Sequence, residues 1–150
     1  MGQVSPLSVA LVSLLVPFLS PQTKDIESAF LQNRADGLHR LFTSSGSLHL
    51  SLPEPLGFSD RVSDEQARLL FERFFSSFRT VEFYLDPRPS ALPGDPARIH
   101  KSRWSFRNNR TNTAYVFDVF IRIQPEFLPP GAERRARPLW RIAEIRADKR

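Results

Sequence analysis

The sequence predicts an α+β fold in which helices lie across an antiparallel sheet, and three observations carry that prediction. Ile99 to Ile123, IHKSRWSFRNNRTNTAYVFDVFIRI, reads as two long alternating strands joined by a polar turn. The half that precedes it is mainly amphipathic helix, and helices followed by a run of strands point to a segregated α+β arrangement. With 150 residues, 41% of them apolar and 13 of them Phe, the chain can bury one sizeable core and is too short for two ordinary domains.

The first apolar stretch is not assigned to the folded domain. Leu7 to Leu19, LSVALVSLLVPFL, has the length of a signal-peptide hydrophobic region and is short for a membrane span, so residues 1–22 read as an export signal. The flanks are poor, with no Lys or Arg in residues 2–6, and Phe18 with Ser20 before Pro21 makes a bad small-x-small cleavage site. The alternative is an apolar strand or helix of the domain, which Pro17 and Pro21 disfavour. The expected location is periplasmic or secreted, and residues 23–150 form the single domain, which holds no membrane span.

Within that domain Thr23 can cap a helix over 24–33, with Ile26, Phe30 and Leu31 as its apolar face. Asp36 can cap a second, and Leu38, Leu41 and Phe42 form its stripe until Thr43 to Gly46 ends it. Ser47 to Leu52 alternates strictly and puts three leucines on one strand face, with His49 on the other. After the Pro53 to Gly57 loop, Ser63-x-x-Gln66 is a capping-box pattern, and Ala67, Leu70, Phe71, Phe74, Phe75 and Phe78 follow at helical spacing.

Four strands complete the chain. Thr80 to Asp86 is the first, and the proline-rich segment Pro87 to Pro96 is expected to loop outside the sheet. In the second, Ile99 to Arg107, one face holds His100, Ser102, Trp104 and Phe106, and the other Lys101, Arg103, Ser105 and Arg107. Asn108 to Asn112 turns the chain. The third strand groups Thr113, Tyr115, Phe117, Val119, Ile121 and Ile123 as core, opposite Ala114, Val116, Asp118, Phe120, Arg122 and Gln124. A basic, proline-rich loop from Pro125 to Arg137 leads to a closing strand over Pro138 to Ala147.

This order, together with Ile26 to Phe42, Gly57 to Phe75, Arg103 to Phe120 and the terminal Leu139-Trp140-Arg141-Ile142-Ala143-Glu144-Ile145-Arg146, resembles the nuclear-transport-factor-2-like (cystatin-like) superfamily. In particular it resembles a small exported bacterial family of that superfamily with no assigned function. The resemblance covers about Thr23 to Arg146. It implies a curved antiparallel sheet wrapped around helices as an α-α-β-α-β-β-β-β cone, and a ligand, if any, at the open end. The residues it would place along such a pocket are Phe71, Phe75, Tyr84, Trp104, Phe106, Tyr115, Phe117 and Trp140. The same aromatics suit a plain core, since such residues fill interiors far more often than they mark sites.

Where members of this superfamily are enzymes, the resemblance implies acid–base chemistry by Asp, His or Tyr inside the cone. His49, His100, Asp118 and Glu144 are the candidates, but no Asp–His spacing matches such enzymes and no role is carried over. Asp118 between Phe117 and Val119 would be costly if buried alone; an ion pair with Arg122 on the wet face would explain it. His39, His49 and His100 are scattered without metal-ligand spacing, no cysteine is present, and the six glycines stand singly, so neither a metal site nor a phosphate loop nor a bound cofactor is expected.

The net charge of +5 is uneven: residues 76–150 carry fifteen Lys or Arg against eight Asp or Glu, whereas residues 1–75 carry six against eight. Yet Trp104 and Phe106 point away from Lys101, Arg103 and Arg107, and a nucleic-acid platform needs both on one face. The expectation is therefore an exported binding or accessory domain, with a small molecule or a protein as its partner and with a conical pocket or a basic sheet surface to offer. The alternative is an isomerase-like or dehydratase-like enzyme. Members of the superfamily often pair through their sheets, which makes a homodimer a further expectation.

Overall fold

A computed structural model of the chain describes residues 21–126 and 139–150. The expected export signal therefore lies, but for its last two residues, outside the described residues, as do most of the basic loop and Pro138. Among the described residues three helices, α1 (Pro21–Leu31), α2 (Ala35–His39) and α3 (Asp64–Ser77), pack on seven strands. The strands are β1 (Leu48–Leu52), β2 (Phe58–Val62), β3 (Phe78–Leu85), β4 (Ser90–Ala91), β5 (Arg98–Asn108), β6 (Ala114–Glu126) and β7 (Leu139–Lys149).

The sheet runs β2-β1-β7-β6-β5-β3, with β4 prolonging the outer edge of β5 beyond β3. It is mixed, because β1 lies parallel to β7, with His49 opposite Glu144 and Leu50 opposite Ile145. The purely antiparallel expectation is corrected there. A return from β1 through β2 and α3 to the far edge of the sheet leaves β1 beside the last strand, and only a long crossover of this kind can join parallel neighbours. Register shifts at Thr80/Glu82 and at Arg122/Ile123 bend the strands and curl the unclosed sheet around the helices.

Two strands were absent from the expected order. β2, Phe-Ser-Asp-Arg-Val, buries only Val62 and exposes its three central residues, so an edge strand held by backbone pairing left no alternation to read. β4 lies inside the segment expected to stay clear of the sheet: Ser90 pairs with Ile99 and Ala91 with Arg98, between prolines that do not block those two residues. The first helix covers Pro21–Leu31, so Thr23 sits within it rather than at its cap. Likewise Arg34, not Asp36, is the N-cap residue of α2.

Other local signals act as read. Ser63 Oγ accepts from Gln66 N at 3.1 Å while Gln66 Oε1 accepts from Ser63 N at 2.9 Å, so the capping box starts α3. In the β5–β6 turn Asn108 Oδ1 accepts from the amides of Arg110 and Thr111, and Asn112 takes the left-handed conformation at φ 61°. Asn109 donates to Ser76 O at 3.0 Å, which ties the turn to the end of α3.

Inside the curl the core is aromatic. Phe30 of α1 stacks on Phe83 at 4.1 Å and meets Phe71, Phe75 and Trp104 edge-on at 5.1–6.0 Å. Trp104 and Phe106 continue the layer to Phe117, and Phe78 with Tyr115 closes it at the hairpin end. Leucines of β1 and the isoleucines of β6 and β7 fill the other half.

Candidate functional site

The concave side of the sheet collects most of the aromatics that a pocket would use. Phe71, Phe75, Trp104, Phe106 and Phe117 are buried in ring contact with one another or with Phe30, and Tyr115 and Trp140 are half-buried against the same core. Trp104 Nε1 donates to Thr80 Oγ1 at 3.0 Å, so its polar atom is satisfied inside the fold. Tyr84 is placed elsewhere. It is 58% exposed, because the bulge at Thr80/Glu82 and the pleat of β3 turn it to the outer face beside Arg103.

Among the described residues His100 is the one ionisable side chain in the buried interior, 3% exposed on the Trp104 face of β5. Its Nδ1–H donates to the backbone carbonyl of Asp86 at 3.1 Å, which joins β5 to the end of β3. The neighbouring buried Ser102 donates to Val119 O at 3.0 Å. The interior polar groups thus hold strands together.

The remaining candidates sit on the outer face. His49 Nδ1–H donates to Glu144 Oε2 at 3.0 Å across the parallel β1–β7 pair, and both side chains are about one-third exposed. Asp118 does not pair with Arg122. Its carboxylate lies 3.8 Å from Arg150, while Arg122 donates to Asp95 Oδ2 at 2.7 Å, because residues four apart along a strand sit farther from each other than from cross-strand or loop neighbours. A backbone donation from Ala97 and the Arg122 guanidinium hold Asp95 below the usual carboxylate range. The Arg88 amide does the same for Asp86.

Between β3 and β6 this outer face is hollowed by a depression of about 260 Å³, bordered by Tyr84, Lys101, Arg103, Asp118 and Arg150. Beside it Lys101, Phe120 and Arg146 stand in register on β5, β6 and β7. Lys101 Nζ lies 6.0 Å and Arg146 Cζ 4.9 Å from the centre of the Phe120 ring, within cation–π range. Among the described residues no three His, Cys, Asp or Glu side chains gather in a way that could hold a metal ion. No helix of the described residues is long and apolar enough to cross a membrane.

No family profile matches the chain, and no curated protein matches it in sequence. Solved structures do match in shape. A ketosteroid isomerase-like protein from Erwinia carotovora atroseptica superposes at TM-score 0.62 with 12% identity over 89% of this chain and 94% of that one. A DUF4783 family protein from Bacteroides uniformis gives 0.55 with 15% identity over 85% and 95%. An NTF2-like protein of unknown function in nutrient uptake from Rhodospirillum rubrum gives 0.56 with 8% identity over 85% and 94%. The fold is nuclear-transport-factor-2-like.

Within that nuclear-transport-factor-2-like frame the sequence separated the two faces of the long hairpin but did not reveal the outer cluster. Phe120 and Arg146 stood in different elements, and only the β5–β6–β7 register brings both beside Lys101. The alternation in Leu139 to Arg146 is interrupted by the shift at Arg122/Ile123, so even the facing of Arg146 depended on a bulge that no residue type announces.

Proposed function

We propose that this chain is a non-catalytic binding module that works through its surface. The observation that carries the reading is the aromatic packing of the concave interior: Phe30, Phe71, Phe75, Phe83, Trp104, Phe106 and Phe117 meet one another ring to ring, where an enzyme of this fold would keep space beside an acid–base residue. His100, the interior group best suited to move a proton, uses its Nδ1–H to anchor the Asp86 carbonyl. A general base needs a partner atom within hydrogen-bond reach and room for the substrate that carries it.

Similarity to a ketosteroid isomerase-like protein makes isomerisation the activity to test. A ketosteroid isomerisation assay on the full chain and on His100→Gln is expected to give background turnover for both. Turnover by the wild type that His100→Gln abolishes would overturn the reading. We further infer that residues 1–22 direct export, on the strength of the uncharged run Leu7 to Leu19 and the absence of charge before Lys24. The mass of the protein recovered from the culture medium or periplasm tests this; an intact N-terminus retained inside the cell would count against it.

A further inference from the structure

We propose that the outer face of β5, β6 and β7 around Phe120 docks an acidic segment of a partner protein, one that carries an apolar side chain among its carboxylates. The proposal rests on the binding-module reading and names its partner class. Three cations surround the site, Lys101 and Arg146 flanking the Phe120 ring and Arg103 two residues along β5 from Lys101. All three are exposed, while Phe120 is half-buried between them.

Three nearby carboxylates are engaged with other partners. Arg103 stands directly across from Asp118, yet Asp118 pairs with Arg150. Glu144 is taken by His49, and Asp95 by Arg122. Among the described residues none of Lys101, Arg103 and Arg146 has a carboxylate at ion-pair distance. A partner carboxylate would therefore meet cations that no acid among the described residues holds in an ion pair, and its apolar neighbour would cover a ring that two cations already polarise.

The same surroundings favour a protein over other anions. Asp118, Asp148 and Glu144 flank the cluster on β6 and β7, so a continuous phosphate backbone laid across it would meet carboxylates as well as cations. Spaced acidic side chains can touch the cations and avoid those rims. The two rings of this face, half-buried Phe120 on β6 and exposed Tyr84 on β3, are separated by β5, whereas a nucleic-acid platform stacks successive bases on neighbouring rings. Two copies of this chain paired about a two-fold axis at Phe120 would set Lys101, Arg103 and Arg146 against their own copies, a like-charge contact.

The test is a fluorescence-anisotropy titration of the full chain with a labelled peptide of glutamates spaced around one phenylalanine. Binding is expected, and it should weaken as salt rises because the contacts are surface charges. Lys101→Glu, Arg103→Glu and Arg146→Glu together should weaken it by about tenfold or more, and Phe120→Ser should weaken it at unchanged charge. Arg110→Glu, at the hairpin tip, should leave it as it was. Absence of peptide binding, equal binding by the triple variant, tighter retention of single-stranded RNA, or a dimer seen by light scattering that the triple variant dissolves would each overturn the proposal. The isomerisation assay is indifferent to all these variants, so failure of the docking site and failure of the binding-module reading are read from different measurements.

Discussion

Phe30→Ala tests whether the interior is a packed core, the premise of the binding-module reading. Phe30 is fully buried, stacks on Phe83 at 4.1 Å and meets Phe71, Phe75 and Trp104 edge-on. An aromatic residue buries roughly 150–250 Å², so at about 25 cal/mol per Å² its burial is worth about 4–6 kcal/mol, an upper bound because Ala retains part of that area and the unfolded chain already buries some of it. The four facing rings belong to three different elements and cannot all move inward, so the void persists and the loss comes to about 3–5 kcal/mol. For a domain of this size that corresponds to a fall in Tm of roughly 10–15 °C. Urea titration followed by circular dichroism measures the first quantity and a thermal melt the second. The void should also take up a small apolar aromatic: benzene should raise the Tm of Phe30→Ala and leave the wild type unchanged. A loss below about 1 kcal/mol, or stabilisation of the wild type by benzene, would refute the packed interior, because the first implies that water already reaches the ring and the second that a cavity already exists.

Three further outcomes follow from other parts of the fold. Burial opposes the Glu126 carboxylate, but donations from Thr43 Oγ1, Ser45 Oγ and the Ser45 amide outweigh it and hold its pKa below the ordinary value of 4.5. A depressed folded pKa means that the stabilisation is complete above that ordinary value and lost as pH falls through the folded one, so wild type and Glu126→Gln should differ near neutral pH and converge in acid unfolding curves; parallel curves down to the acid limb would refute this. Ser63→Ala removes the capping box of α3 and should cost about 1 kcal/mol in urea titration, against a few tenths for Ser63→Gly. His49→Gln breaks a contact with Glu144 whose two side chains are about one-third exposed and should change stability by less than about 1 kcal/mol, and a larger loss would show that the β1–β7 junction depends on it.

The fold was legible where burial writes a period into the chain. β5 and β6 each bury one face against the helices, and Trp104, Phe106, Phe117, Val119 and Ile121 announced it; α3 announced itself through Ser63, Gln66 and its Phe stripe. β2 and β4 were not legible, because edge pairing is backbone chemistry and leaves Asp60, Arg61 and Ser90 as free in type as a loop would. The parallel β1–β7 contact was hidden for a related reason: a leucine face reads the same whichever way its neighbour runs. Of the site, the sequence assigned Lys101 and Arg103 to the wet face, but the partner of Asp118 and the meeting of Phe120 with Arg146 are matters of register and of a bulge. Residue types set which face a side chain takes, while ladder register sets whom it meets.

The edges of the sheet give a reason for a partner to approach its face. An exposed edge strand is a ready template for an added strand, but α1 covers much of this one. Asn33 Oδ1, in the turn after α1, accepts from the Thr80 amide and Glu27 Oε1 of α1 from the Leu85 amide, both at 3.0 Å, so two backbone donors of β3 are already satisfied by side chains of α1 and its turn. Beyond Leu85 the edge passes to β4, whose pairing with β5 lies among prolines that cannot donate to an incoming strand. At the opposite edge β2 exposes Ser59, Asp60 and Arg61, and charges there oppose pairing with a further strand. With both edges obstructed, the broad surface left is the outer face of the central strands. That face holds three cations that no acid among the described residues pairs with, around a half-buried ring, so the contact we propose for it is made by side chains: charge would select the partner, and Phe120 would supply the apolar centre.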